Sequence, residues 1–380
     1  MNKIRKTYLL TGGFHPVGQI ISILHYGRKI AQVEGTRCLI GWSEDGNRLE
    51  YNQEFIRMED FRGYSHRVLQ EAHELMSGMM FGWDPVQDLA ALKDDLRENT
   101  QGYSFVSNPA NGLQRCYRQL LQRSWECSPE TALQKDGEWR HEACSAYLEE
   151  EQKMLRYILL LLHLTGGQPA RGPELTTIRH QNSSAAMRNI YVSNGQLFYM
   201  IEYHKARRTT NKSFFVVRYL PLQVGQMLFK YLVYVRPFVN LILRHQYGGA
   251  TLSENNKGAL LFSNPQGTGS PWRSEILSQA LRDSSSHLEM SFSISNYRQV
   301  VIAITKRHIR AISVPFNIND DVSSKADLSN AVWSWQAGHR PLQNSTSYAL
   351  DRAFPNKLQP ELLRLYHHIS LEWHSWLGMK

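Results

Sequence analysis

The segment from Glu149 to Gly167, EEEQKMLRYILLLLHLTGG, constrains the fold more than any other part of this chain. It predicts a strongly apolar helix that ends at two consecutive glycines. The sequence pattern changes at this point, from mixed segments before the helix to strand and helix signals after it. We therefore predict a domain boundary here, with one domain over residues 1–148 and a second over residues 149–380.

The second domain continues with three strand candidates, at residues 188–192, 196–205 and 213–221. Asn194 and Gly195 supply the first turn, and the polar stretch ARRTTNK supplies the second loop, which predicts a small antiparallel sheet. The remaining pattern is helical. The predicted helices cover residues 222–247, 274–285, 293–312 and, as an amphipathic C-terminal helix, 358–377.

The first domain mixes strand and helix signals. Asp45 and Gly46 lie between two alternating runs and predict a hairpin turn. A helix is predicted over residues 58–81, followed by interrupted helical structure over 108–148. Three aromatic residues of this stretch are expected in the core: Trp125, Trp139 and Tyr147. The chain as a whole is predicted to be α+β and mostly helical, with a mixed N-terminal domain.

Charge is distributed unevenly between the two predicted domains. Residues 1–150 hold 17 Lys and Arg against 21 Asp and Glu, a net charge of −4. The remaining residues hold 26 basic and 13 acidic side chains, a net charge of +13. A basic domain favours a polyanionic partner such as nucleic acid, because bound phosphates release their counterions. A generally basic, solvated surface would give the same numbers.

Several classes of protein are not supported by the sequence. No apolar run is long enough for a membrane span or a signal peptide, so we expect an intracellular protein without membrane contact. The chain lacks both GxxxxGK[ST] and GxGxxG, which argues against nucleotide hydrolysis. The cysteines are scattered and lack metal-binding spacing, so neither zinc nor disulfides are expected, and no cofactor or metal is predicted. They are Cys38, Cys116, Cys127 and Cys144.

Three short motifs occur in order in the basic half of the chain. The first is TGGQPARGPEL, which runs from Thr165 and contains Arg171 and Glu174. The second is SNYR, from Ser295 to Arg298. The third is GHRPLQNSTSY, in which Tyr348 lies nine positions after His339. Taken singly, each arginine or tyrosine would more often be a surface or core residue.

Together the three motifs resemble the catalytic boxes of the tyrosine recombinase (phage integrase) family, which read T-G-x-R-x-x-E-L, H-x-x-R and L-G-H-x(8)-Y. The resemblance covers roughly residues 150–355 and includes the three-stranded sheet between the first two boxes. It implies a DNA breaking-rejoining catalytic domain that acts on double-stranded DNA, commonly as a homotetramer. At finer grain the motifs resemble fungal Crypton-type recombinases and a domain of telomere-linked RecQ-type helicase proteins, which implies nuclear localisation.

The resemblance also implies a role for each matched residue. Cutting a phosphodiester without metal needs a nucleophile, charge neutralisation at the phosphate and a proton for the leaving oxygen. Arg171 and Arg298 would clamp the phosphate with forked guanidinium groups, and Tyr348 would attack it. The remaining matched residues would assist them: Lys205 (or Lys212 of the same loop) as general acid, His339 as hydrogen-bond donor and Glu174 as orienting group for Arg171.

One position departs from the family pattern. Ser295 stands where the second box usually has histidine, and a hydroxyl cannot replace an imidazole in acid-base chemistry. Two alternatives to an active recombinase therefore stay open: a domesticated DNA-binding protein without catalysis, and a remnant of a helicase-linked gene. Three aromatic residues of the C-terminal helix are expected in the core, although the family commonly docks this helix onto a neighbouring protomer. They are Tyr366, Trp373 and Trp376.

Overall fold

The computed structural model describes residues 16–33, 40–128, 132–203, 214–247, 257–263, 270–309 and 360–379. The chain divides into two compact units, Met1–Arg57 and Met58–Lys380. The described parts are mostly helical, with three small antiparallel sheets. This agrees with the α+β prediction at the level of fold class.

The first unit contains one helix, α1 (Pro16–Val33), and a three-stranded meander. Its strands are β1 (Ile40–Trp42), β2 (Arg48–Tyr51) and β3 (Glu54–Arg57). Gly46 has a φ of 71°, and Asp45 accepts a hydrogen bond from the Asn47 N–H at 3.0 Å, so the hairpin predicted at Asp45-Gly46 is confirmed. In α1, the side chains of residues 19–27 are exposed, including several large apolar ones.

The second unit begins with α2 (Met58–Met79), which confirms the helix predicted over 58–81, and continues to α3 (Tyr117–Glu126). A short hairpin follows, formed by β4 (Gln134–Lys135) and β5 (Glu138–Trp139). Tyr147 is buried as predicted, but the prediction for Trp125 is wrong, since this side chain is 50% exposed. The buried face of α3 is set by Leu120 and Ser124, one helical turn apart, which leaves Trp125 on the outer face.

The apolar helix of the sequence is α4 (His141–Thr165). It ends where the two glycines predict, and it begins eight residues before Glu149. The predicted domain boundary between residues 148 and 149 therefore falls inside a continuous helix. Both sides of that boundary contribute to the second unit, because Arg188 forms a buried ion pair with Asp94 at 2.7 Å.

The three-stranded sheet follows a short helix, α5 (Gly172–Thr176). Its strands are β6 (Ile190–Ser193), β7 (Gln196–Tyr203) and β8 (Phe214–Tyr219), antiparallel and in sequence order. Asn194 and Gly195 have φ values of 51° and 79°, the left-handed geometry that an Asn-Gly hairpin turn requires. The predicted sheet and its first turn are confirmed.

The last part of the unit is helical. The predicted helix over 222–247 is continuous: α6 (Leu222–Lys230), a single π-helical turn (Tyr231–Val235) and α7 (Arg236–Tyr247). The others are α8 (Ser274–Ser285), α9 (Ile294–His308) and α10 (Pro360–Leu377). Among the described helices, none combines the length and apolar character needed to cross a membrane.

Helix α10 packs against strand β8 of its own chain. Tyr366 donates to the Phe215 carbonyl at 2.9 Å, and the Ser370 hydroxyl accepts from the Tyr219 N–H at 3.2 Å. Tyr366 and Trp373 are fully buried, which confirms that these two aromatic residues belong to the core. Trp376 is half-buried and stacks on Trp373 with 5.2 Å between ring centroids.

Candidate active site

The C-terminal end of α4 lies in the interior, where its last carbonyl groups cannot reach water. Helix ends leave such carbonyls without partners inside the helix, so other groups must satisfy them. Here side chains from the sheet and from α10 donate the hydrogen bonds. They are Tyr199 to the Leu162 carbonyl at 2.8 Å, Trp373 to that of Leu164 at 3.0 Å and His374 to that of Thr165 at 3.0 Å.

The loop after α4 is held just as tightly. A Cβ on Gly166 would overlap the Tyr199 hydroxyl and lie 2.7 Å from the Leu162 carbonyl, so only glycine fits. The buried Arg218 guanidinium donates to the Gln168 carbonyl through Nε at 3.2 Å and Nη2 at 3.1 Å. These contacts fix the backbone that leads to the arginine of the first motif.

Arg171 is half-buried and immediately precedes α5. Its backbone N–H donates to the Glu174 carboxylate at 3.0 Å. Glu174 was expected to orient Arg171, and in the structure this carboxylate holds the arginine through its main chain. The side chain of Arg171 thus starts from a fixed point on the backbone.

Gly172 brings the first motif against the second. A Cβ at this position would lie 2.6 Å from the Ser274 Cβ at the start of α8 and 3.2 Å from the Ile294 Cδ1 at the start of α9. Residues four apart on a helix share a face, so Arg298 projects from the same side of α9 as Ile294. Gly172, the residue after Arg171, thus lies against the start of the helix that carries Arg298 one turn later. Arg298 is half-buried like Arg171.

The neighbourhood of the two arginines is electropositive for a second reason. Helices α8 and α9 both begin beside Gly172, and a helix N-terminus carries a partial positive charge with N–H groups pointing outward. Ser293 caps α9, and its N–H donates to the Asn296 side chain at 2.5 Å. Ser295 lies in the first turn of α9 and is exposed. This arrangement suits an anionic group such as a phosphate.

Four other predicted residues lie outside the described residues: Lys205, Lys212, His339 and Tyr348. The strands on either side of the lysine loop are described, and Tyr203 of β7 pairs with Phe214 of β8. The roles expected for these four residues remain predictions. In the described part of the chain, no three His, Cys, Asp or Glu side chains are grouped as metal ligands would be.

The structure adds one residue that the sequence argument missed. His163 is 1% exposed, and within the described residues neither of its ring nitrogens has a hydrogen-bond partner. Its ring centroid lies 4.9 Å from that of Tyr297, the neighbour of Arg298. Burial, with the charges of Arg298 and Arg218 acting in the same direction, lowers the pKa of His163 to about 3. The only sequence signal is a single polar ring within LLLLHLT.

Around Gly172 the described residues thus include the backbone of Arg171, the starts of α8 and α9 and, one turn into α9, Arg298. The neutral imidazole of His163 lies against Tyr297, the residue before Arg298. Such groups can bind and orient a phosphate and stabilise additional negative charge on it. In comparisons with models of protein families, with curated proteins and with solved structures, the chain has no match.

Proposed function

We propose that this chain cuts and rejoins DNA strands through a 3′-phosphotyrosyl intermediate. The observation that carries the proposal is the contact of Gly172 with the start of α9, which brings the motifs of Arg171 and Arg298 together although 127 positions separate these residues in the sequence. Two guanidinium groups that reach the same phosphate can hold its nonbridging oxygens.

The proposed reaction follows the resemblance to tyrosine recombinases. Arg171 and Arg298 bind the scissile phosphate. The Tyr348 oxygen attacks phosphorus and loses its phenolic proton to solvent, while Lys205 protonates the departing 5′ oxygen. His339 donates a further hydrogen bond to the phosphate. The phosphotyrosyl bond retains the energy of the phosphodiester, so the 5′ hydroxyl of another strand can reverse the step.

The proposed partner is double-stranded DNA. The net charge of +13 over residues 151–380 supports this choice, because a basic surface attracts the phosphate backbone. Site-specific recombination or transposon integration in the nucleus, by a homotetramer on two duplexes, is the form that the resemblance implies.

A second candidate function is DNA binding without catalysis. The observation that favours it is Ser295, which occupies the first turn of α9 with an exposed hydroxyl where the family usually has an imidazole. A protein of this kind would keep the phosphate contacts of Arg171 and Arg298 and form no covalent bond to DNA.

Covalent trapping separates the two functions. The purified chain is incubated with a library of nicked duplexes, denatured and examined for a protein-DNA adduct. A recombinase gives an adduct that is abolished by Tyr348→Phe and reduced about 100-fold or more by Arg171→Ala or Arg298→Ala, since each arginine stabilises transition-state charge. The control Arg282→Ala removes an exposed arginine of α8 and leaves the yield unchanged. Salt-sensitive binding without an adduct would instead identify the second function.

A further inference from the structure

His163 occupies an exceptional place among the buried polar side chains at the end of α4. Tyr199, Arg218, Trp373 and His374 each donate to a backbone carbonyl in this region. His163 is equally buried but has no hydrogen-bond partner within the described residues. Buried polar groups are normally paired, and leaving one unpaired costs about 1–3 kcal/mol. An unsatisfied group at this position therefore needs an explanation.

The surroundings of His163 show which kind of partner it can take. The ring packs on Tyr297, and the charged groups that act on it are the guanidinium groups of Arg298 on α9 and Arg218 on β8. Burial beside two positive charges keeps the imidazole neutral, so one ring nitrogen carries a lone pair. A guanidinium N–H that turns toward the ring would find in this lone pair a hydrogen-bond acceptor.

Arg218 donates to the Gln168 carbonyl through two nitrogens and so holds the loop after α4. Arg298 lies at the proposed phosphate site, on the helix whose first residue contacts Gly172. Of the two arginines, Arg298 is therefore the one whose orientation would matter to a bound phosphate. Its guanidinium has five N–H donors, enough to contact a phosphate and an imidazole at the same time.

We propose that His163 is a positioning residue for Arg298. Its neutral imidazole accepts a hydrogen bond from the guanidinium and thereby fixes the orientation of that guanidinium when a DNA phosphate is bound. This inference rests on the proposed function insofar as it takes the phosphate of DNA as the ligand. The imidazole would come from α4, the helix of the first motif, and would act on the arginine from the interior of the protein.

Two substitutions of His163 distinguish a positioning role from a packing role, because the two roles predict opposite orders of activity for the variants. His163→Phe keeps an aromatic ring against Tyr297 and removes the acceptor, whereas His163→Gln keeps a hydrogen-bonding group. If the residue only fills the core, Phe is tolerated better than Gln. If it positions Arg298, Phe lowers the single-turnover rate of adduct formation about 10- to 100-fold, and Gln restores the rate to within about threefold of wild type.

A binding cycle tests the inference even if no adduct forms. The affinity of the full-length chain for a fluorescein-labelled, singly nicked 30-base-pair duplex is measured for wild type, His163→Phe, Arg298→Ala and the double variant. We expect His163→Phe to weaken binding about three- to fivefold alone and less than 1.5-fold in the Arg298→Ala background, because coupled residues are not additive. Equal losses in both backgrounds would overturn the positioning role.

The two experiments distinguish the possible failures. If wild type gives no adduct but the binding cycle shows coupling, the proposed catalysis fails and the positioning role survives. If wild type gives an adduct and the cycle is additive, the reverse holds. Leu155→Ala is the matched stability control, because it truncates a fully buried side chain of α4 two turns earlier and should lower thermal stability without changing either readout.

Discussion

Two buried polar clusters in the second unit differ in how completely their hydrogen-bonding groups are used. In the Arg188 cluster, which comprises Arg188, Asp94 and Asn182, the guanidinium donates to the Asp94 carboxylate and the Asp95 carbonyl, each at 2.7 Å. It also donates to the Glu98 carbonyl at 3.1 Å. Only its Nε lacks a partner within the described residues.

The α4 end is defined by residues 162–168 and the side chains bonded to them. Tyr199, Arg218, Trp373 and His374 each donate to a carbonyl there, whereas the His163 ring has no hydrogen-bond partner within the described residues. In the Arg188 cluster both Nη atoms of the guanidinium thus have protein acceptors and only Nε lacks one, whereas at the α4 end neither ring nitrogen of His163 has a partner within the described residues. A cluster whose polar groups are nearly all paired within the protein serves to hold elements together. A cluster near the surface that keeps an unpaired polar group is where a ligand-dependent contact can form.

The largest effect on stability is expected from removing Asp94 from the Arg188 cluster. Asp94→Ala would leave the Arg188 guanidinium buried without its counter-charge, at a cost of about 3–5 kcal/mol in the free energy of unfolding. Urea denaturation measures this change. The paired replacement Asp94→Leu with Arg188→Met should recover most of the loss, and an Asp94→Ala protein as stable as wild type would show that the cluster does not hold the unit together.

The next effect in size is pH dependence, which should come from the α4 end. Burial lowers the pKa of His163 to about 3 and that of His374 to about 4, whereas both titrate near 6.5 when unfolded. The unfolded chain therefore binds more protons between these values, and stability falls as pH drops below about 6.5. The loss is up to about 1.4 kcal/mol per pH unit for each histidine. Denaturation at pH 7.0, 6.0 and 5.0 measures it, and a flat profile would contradict the neutral, buried state.

Trp373→Phe should have a smaller effect than either. The ring packing is mostly kept, and the hydrogen bond to the Leu164 carbonyl is lost, which costs about 1–2 kcal/mol because that carbonyl stays buried. Thermal denaturation provides the measurement. Exposed Trp125→Phe is the matched control and should change the free energy of unfolding by less than about 0.5 kcal/mol.

The smallest change in stability is expected from replacing His163. His163→Phe removes a polar ring that has no partner within the described residues, so the free energy of unfolding should stay within about 1 kcal/mol of wild type or rise. Urea denaturation at neutral pH checks this. A loss above about 2 kcal/mol would indicate that the imidazole is bonded in solution and would remove the contrast with the Arg188 cluster.

Local features of the fold were accessible from sequence because short-range physics determines them. The Asn194-Gly195 turn, the glycine stop after Thr165 and the limits of α8 all follow from conformational preferences within a few residues. Trp125 was misplaced because an interrupted helix does not reveal which of its faces will meet the core.

The tertiary support of the candidate site could not be predicted in the same way. The ion pair of Arg188 with Asp94 joins positions 94 residues apart. The hydrogen bond from Trp373 to the Leu164 carbonyl joins positions 209 residues apart. Hydrophobic periodicity indicates which face of a single element is buried and does not show which distant residues will contact it. Arg171 and Arg298 were accessible only through the spacing of family motifs, and His163, which matches none of them, became visible only through its environment.

The caps on α4 have a consequence for the order in which the protein folds during synthesis. The carbonyls of Leu164 and Thr165 take their partners from Trp373 and His374, which the ribosome adds 209 residues later. At about 5–20 residues per second, this interval lasts roughly 10 to 40 s. Throughout this interval these carbonyls lack their native partners, so the end of α4 can become a dry part of the core only after α10 has emerged.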